Sequence, residues 1–190
     1  MRAHLSRIST GDIIPRTFMA NAASVADWSK SVVIDFADTG GSHSFSTGFV
    51  STMTAIDGDP GDGVLEAYAA DATMTRELDL TDIDVRAGDS VRFQARVALL
   101  EDDYPSVPSS IQRALLYAVD SGGSRTLLVN GTNYAPVGGS TVIDSTVAVP
   151  SGYEHGFEIV LYHRGHAREG RYAPNIQSRA TFEDIIITLS

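Results

Sequence analysis

The sequence predicts a single all-β domain, an antiparallel β-sandwich, on three observations. Apolar residues recur at every second position in several short runs. Gly, Asp and Pro punctuate the intervals between those runs. No helical period is sustained, apart from a possible turn near Asn21 to Trp28. Period-two alternation marks a strand with one face buried and one polar. Short strands set between turn residues are the pattern of antiparallel sandwiches.

The elements follow in chain order. The first twenty-odd residues are weakly patterned, and Pro15 restricts any strand there to an edge. Residues 1–24 are therefore read as an extended arm or edge segment, and 25–190 as the sandwich. Val32, Ile34 and Phe36 alternate around Val33 and Asp35. The clearest run is Ser90 to Leu100, where Val91, Phe93, Ala95, Val97 and Leu99 alternate with Arg92, Gln94, Arg96 and Ala98. Leu115, Tyr117 and Val119 form another, although Leu116 and Ala118 make its second face apolar too. Phe157-Ile159-Leu161 and Ile185-Ile187-Leu189 complete the series. Turn signals lie between them at Asp38 to Gly41, Asp57 to Gly63, Ala87 to Asp89, Asp120 to Gly123 and Pro150 to Gly152.

Composition narrows the function classes. A chain of 190 residues suits one domain. A domain of that length buries roughly 70% of its unfolded surface, so it needs no disulfide or metal to supply a core. Hydrophobic residues at 43% and charged residues at 20% are ordinary globular composition and argue against disorder. The net charge of -10 argues against nucleic acid and against an anionic membrane surface. Cysteine is absent, which removes disulfides, thiolate zinc sites and thiol nucleophiles together. Asp12, Pro15 and Arg16 interrupt any secretory apolar run, and no stretch approaches the ~18 apolar residues of a membrane span. The expectation is a protein made in the cytoplasm and complete from its own start.

Two passages carry a resemblance. Ala72 to Leu80 leads through Arg86-Ala87-Gly88-Asp89-Ser90 into Val91-Arg92-Phe93-Gln94-Ala95-Arg96, and the chain closes on Ala180-Thr181-Phe182-Glu183-Asp184-Ile185-Ile186-Ile187-Thr188-Leu189. Together they resemble carbohydrate-binding modules with the galactose-binding-like jelly roll, over about Trp28 to Ser190. The opening Asn-Gly-Asp/Asn-Phe segment typical of that group is not recognisable, and no indole falls in the later strands. The resemblance implies a jelly-roll fold, shared by glycan-binding domains, enzyme appendages and bacteriophage virion components. Many modules of that group hold a structural calcium ion near the final strand, for which Asp184 is the matching acid and Glu183 its neighbour; the alternative is a strand-end acid bonded to a loop backbone or to water, and no cofactor is required.

Several side chains could carry chemistry. Arg92, Gln94 and Arg96 project from one strand face about 7 Å apart. With Glu158, Tyr162 and Arg164 they could line a glycan groove, because guanidinium forks and amides suit hydroxyls and tyrosine rings suit pyranose faces. The bland alternative is the solvated side of a sheet. Trp28, the only tryptophan, is a stacking platform of that groove if exposed and a core plug if buried; tryptophan is usually well buried. Tyr104, Tyr134, Tyr153 and Tyr172 fall in loop-like stretches and could face a ligand or a neighbouring subunit. Asp57 to Gly63 invites a calcium reading but fails as an EF-hand, with Gly61 at a ligand position and Tyr68 in place of the bidentate Glu. His155, His163 and His166 are read as surface histidines, and Ser42-His43-Ser44 has nothing to support a triad.

The expected function is non-enzymatic. The first reading is a phage particle component, a capsid decoration, fibre or tail protein, at the virion surface. Its partners would be capsid or tail proteins, a second copy of itself and surface polysaccharide. The second is a carbohydrate-binding module of a secreted, extracellular glycan-active protein. A small hydrolase is the third.

Overall fold

The structure, a computed structural model, describes residues 16–19, 28–34, 40–46, 50–56, 67–80, 84–102, 111–168 and 175–190. Among them are eleven strands and no helix: β1 (Arg16–Met19), β2 (Ser29–Ile34), β3 (Gly40–Ser46), β4 (Val50–Ile56), β5 (Ala67–Asp79), β6 (Ser90–Asp102), β7 (Ile111–Val119), β8 (Arg125–Thr132), β9 (Ser140–Ala148), β10 (Gly156–Arg168) and β11 (Asn175–Leu189). They form two antiparallel sheets. The front sheet has the order β3-β4-β11-β6-β9, with β1 also paired to β11; the back sheet has the order β2-β5-β10-β7-β8. Only β3–β4 and β7–β8 keep consecutive strands in one sheet. Every other connection crosses the sandwich, which is the winding of a jelly roll.

Alternation decides which side chains meet between the sheets. From β6, Val91, Phe93, Ala95, Val97 and Leu99 are buried, as the sequence predicts. From β10 come Phe157, Ile159 and Leu161, and from β11 Ala180, Phe182, Ile185, Ile187 and Leu189. Each such large side chain contributes about 1.5–3 kcal/mol by leaving water. On β7 the core face is Ala114, Leu116 and Ala118, while Leu115, Tyr117 and Val119 turn outward. Both apolar faces seen in the sequence are thus real, but it is the second, Leu116 and Ala118, that enters the core, and the run Leu115, Tyr117, Val119 lies on the outside of the back sheet.

Two local features set positions. In β11 the register against β6 shifts between Glu183 and Ile186. The bulge lets Phe182 and Ile185 both point inward while Glu183 and Asp184 both stay exposed. Asp184 takes a left-handed φ of 51°, which Asp tolerates better than most residues. At the sandwich edge, β8 and β9 approach so closely that a Cβ at Gly131 would overlap the Ile143 side chain.

β1 pairs antiparallel with β11, from Arg16 opposite Leu189 to Met19 opposite Ile186. The segment read as an arm or edge therefore contains a strand that begins directly after Pro15. The rest of that segment lies outside the described residues.

Candidate functional site

The front sheet carries the strip Arg92, Gln94, Arg96 on its outer face. Arg92 donates through Nε and Nη2 to both carboxylate oxygens of Asp144 on β9, at 2.8 and 2.6 Å. Gln94 donates to the same carboxylate at 3.3 Å. The hydrogen bond from Arg92, aided by its charge and by Gln94, holds the Asp144 carboxyl below the usual carboxylate range; Asp144 in turn raises Arg92. Arg96 stands opposite Glu183 of β11 and Val142 of β9. Two of the three predicted ligand side chains thus spend hydrogen-bonding capacity on a neighbouring strand.

Glu183 and Asp184 sit on this same face, at the bulge. No group of three or more His, Asp or Glu side chains placed to hold a metal ion occurs among the described residues.

The groove expected from Arg92, Gln94 and Arg96 together with Tyr162, Glu158 and Arg164 does not form. The first three leave β6 on the outside of the front sheet, and the others leave β10 on the outside of the back sheet, with the whole core between them. Alternation tells inside from outside but not which sheet a strand joins. Trp28 does not belong to that groove either. It is 4% exposed and packs in the core, the plug rather than the platform.

The outer face of the back sheet gathers a different set. Register places Tyr117 of β7 opposite Glu158 of β10, Leu115 opposite Val160, and Arg113 opposite Tyr162. Leu115 and Val160 are buried although they point away from the core, so they form an apolar floor. At one end the Arg125 guanidinium lies over the Tyr117 ring, 4.8 Å from its centre, and donates to Glu158, whose side chain is only 11% exposed. At the other end Arg113 lies 5.9 Å from the centre of the Tyr162 ring. The two tyrosines are on adjacent strands and four residues out of register, so their Cα atoms are ~14 Å apart. Thr73 and Thr75 of β5 flank one side, opposite Tyr162 and Val160. Asn130 and Thr132 of β8 flank the other, opposite Leu115 and Arg113. Sequence reasoning found Tyr162 and Glu158 but missed Arg113, Tyr117 and Arg125. The signal for them was the doubly apolar β7, whose outer face needed a purpose.

The histidines divide. His155 is exposed, as expected, but His163 is not a surface residue: it is 0% exposed. Its ring joins the two sheets, with Nδ1 2.8 Å from Ser51 Oγ on β4 and Nε2 3.0 Å from Ser178 Oγ on β11. The phase of β10 explains this, since Phe157, Ile159 and Leu161 are followed by 163 on the same face. Of the loop tyrosines, Tyr134 is 86% exposed and Tyr153 packs against the core. Tyr104, Tyr172 and the acidic turn from Asp57 to Gly63 lie outside the described residues. His166 and Ser42-His43-Ser44 fall on β10 and β3, with Ser44 exposed.

No protein-family model matches this sequence, and no curated protein matches it. Solved structures do resemble the fold. A domain of tailspike protein 4 from bacteriophage CBA120 is 15% identical with a TM-score of 0.44, covering 90% of this chain and 20% of that one. A family 16 carbohydrate-binding module is 9% identical, with a TM-score of 0.38 over 72% of this chain and 75% of that one. The xylan-binding CBM22-1 domain of Paenibacillus barcinonensis Xyn10C is 12% identical, with a TM-score of 0.36 over 92% of each chain. The chain therefore spans a fifth of the tailspike but most of each module. Its own strand order makes the fold an antiparallel jelly-roll sandwich, and likenesses this distant say nothing of function.

Proposed function

We propose that this chain is a non-catalytic binding module that holds a polysaccharide on the outer face of its back sheet. The observation that carries the reading is the pair of Arg–Tyr stacks, Arg125 on Tyr117 and Arg113 on Tyr162, set at either end of the Leu115–Val160 floor. A sugar chain offers apolar C–H faces and a rim of hydroxyls. Rings and an aliphatic floor take the first; guanidinium N–H groups and the flanking Thr and Asn side chains take the second, with the nearly sealed Glu158 carboxylate holding Arg125 in place. Stacking fixes each guanidinium before the ligand arrives, so less conformational freedom is lost on binding. The Ser51–His163–Ser178 arrangement supports the non-catalytic reading, because it is sealed where no substrate reaches it.

The setting we favour is the surface of a bacteriophage particle, where a cysteine-free sandwich of this size would attach the particle to surface glycans. A module of an extracellular glycan-active protein would use the same face.

The test is retention on immobilised polysaccharides by affinity electrophoresis, beginning with a glycan array to choose the matrix. Tyr117→Ala with Tyr162→Ala should weaken retention at least about tenfold, the equivalent of ~1.4 kcal/mol. Arg92→Ala with Arg96→Ala, on the opposite face, should leave it unchanged. Retention lost with the arginine pair and kept by the tyrosine pair would move the site to the front sheet and sink this assignment.

A further inference from the structure

Among the described residues five strands have a neighbour on one side only: β2 and β8 at the back, and β3, β9 and the four-residue β1, which directly follows Pro15, at the front. Edges invite pairing with other chains, and proteins blunt them with charge, glycine, proline or bulges. β2 is six residues long and carries Lys30; β3 opens on Gly40-Gly41; β8 holds Gly131 and shifts register against β7. β9 has only one of these devices, the charge of Asp144, and that is paired with Arg92. Its nine residues, Ser140–Ala148, pair with β6 in unbroken register and contain no Gly, Pro or Lys.

Charge points to the same place. In a chain of net charge -10, the only charged side chain from Thr126 to Tyr153 is Asp144, and Arg92 neutralises it. Exposed apolar surface points there as well. Among the described residues five large apolar side chains stand exposed: Leu100, Leu127, Tyr134, Val137 and Val142. Tyr134 and Val137 lie on the loop entering β9 and Val142 near the start of that strand; Leu100 is on the end of β6, to which the loop is tied by Gly138 N donating to Leu99 O at 2.8 Å. The loop is held in shape. Asn133 Oδ1 accepts from Thr141 Oγ1 at 2.7 Å and from Ala135 N at 3.0 Å, and Gly139 N donates to Pro136 O at 2.8 Å. Tyr134 is thus presented by a fixed scaffold, which lowers the entropy lost when an aromatic anchor is buried in an interface.

We propose that β9 and the β8–β9 loop form the docking surface for a second copy of this chain, paired edge to edge and antiparallel about a two-fold axis. The occupant follows from charge. Two copies each carrying -10 approach with least repulsion where the surface is neutral, and a charged foreign strand finds no complementary group there. Antiparallel pairing is also self-complementary, because each β9 supplies the row of N–H and C=O groups the other lacks. It lays the Tyr134 loop of each copy over the far end of the other copy's strand. The surface is separate from the glycan face and its test does not depend on that reading.

The experiment is sedimentation velocity on the full chain across a concentration series. The wild type should sediment as a dimer at tens of micromolar, while Val142→Lys with Thr146→Lys and, separately, Tyr134→Ser should sediment as monomers. Far-UV circular dichroism should show the variants folded. As a measurement free of variants, amide exchange on the wild type should slow with rising concentration in β9 and not in β2. Tyr117→Ala with Tyr162→Ala should leave the mass unchanged. A wild-type monomer throughout, a dimer that survives the lysine pair, or exchange that slows elsewhere instead would each overturn the proposal.

Discussion

On the front sheet Arg92 reaches sideways to Asp144, and both side chains stay largely in water. On the back sheet Arg125 reaches to Glu158, whose carboxylate is nearly sealed, and lies on the Tyr117 ring as it does so. Both are arginine–carboxylate pairs bridging strands of one sheet. They differ in what surrounds the acid. The front pair sits among Gln94, Arg96 and Thr146, solvated neighbours that cost little to separate. The back pair sits beside the Leu115–Val160 floor, where an unpaired carboxylate has no water to turn to. The worth of an ion pair is thus set by its less exposed member, and so is the value of the surface around it as a ligand site.

The two faces rest on one packed core. Phe93→Ala should therefore cost ~3–5 kcal/mol in urea unfolding, through the cavity left beneath the front strip. A tolerated substitution would mean that Arg92 and Arg96 do not share an outer face. His163→Leu tests the joint between the sheets. Loss of its two inter-sheet hydrogen bonds should cost about 1–3 kcal/mol with no change in glycan retention. Arg125→Ala should then cost about 1–3 kcal/mol, because it leaves Glu158 without its guanidinium partner, and it should weaken retention as well. The same change at Arg92 should barely move the melting temperature, and equal losses at the two sites would erase the contrast drawn here.

The smallest effect is a pH effect. Arg92 holds the Asp144 carboxyl below its ordinary range, so that contribution is full above the unfolded carboxylate pKa and fades as pH falls through the lower folded value. Asp144→Asn should thus differ slightly from wild type in melting temperature at pH 7 and match it in acid. Added salt should shrink the difference at pH 7.

How much of this was legible in the sequence depended on the kind of question. The alternation from Val91 to Leu99 fixed which side chains face the core, and the same rule carried on from Phe157 would have placed His163 inside. Two things interrupted it. The bulge at Asp184 changes phase within a strand, and no local signal but an acid in a left-handed conformation marks it. The doubly apolar β7 leaves its buried face undecided until a partner sheet is known. The site was less legible for a deeper reason. Arg113, Tyr117, Arg125 and Glu158 meet because β7, β8 and β10 pair, and pairing between strands far apart in sequence leaves no periodic trace along any one of them. Trp28 in the core, by contrast, needed only the general tendency of indoles to be buried.

The position of β11 has a consequence for how the chain comes to be folded at all. The last strand lies in the middle of the front sheet, with β6 on one side and β4 and β1 on the other, and it brings Phe182, Ile185 and Ile187 to the core. Until residues 175–189 are available, β4 and β6 have no common neighbour, and the core lacks Phe182, Ile185 and Ile187. The back sheet can pair as it is synthesised up to β10, but the front sheet closes in one late step that joins residues separated by most of the chain.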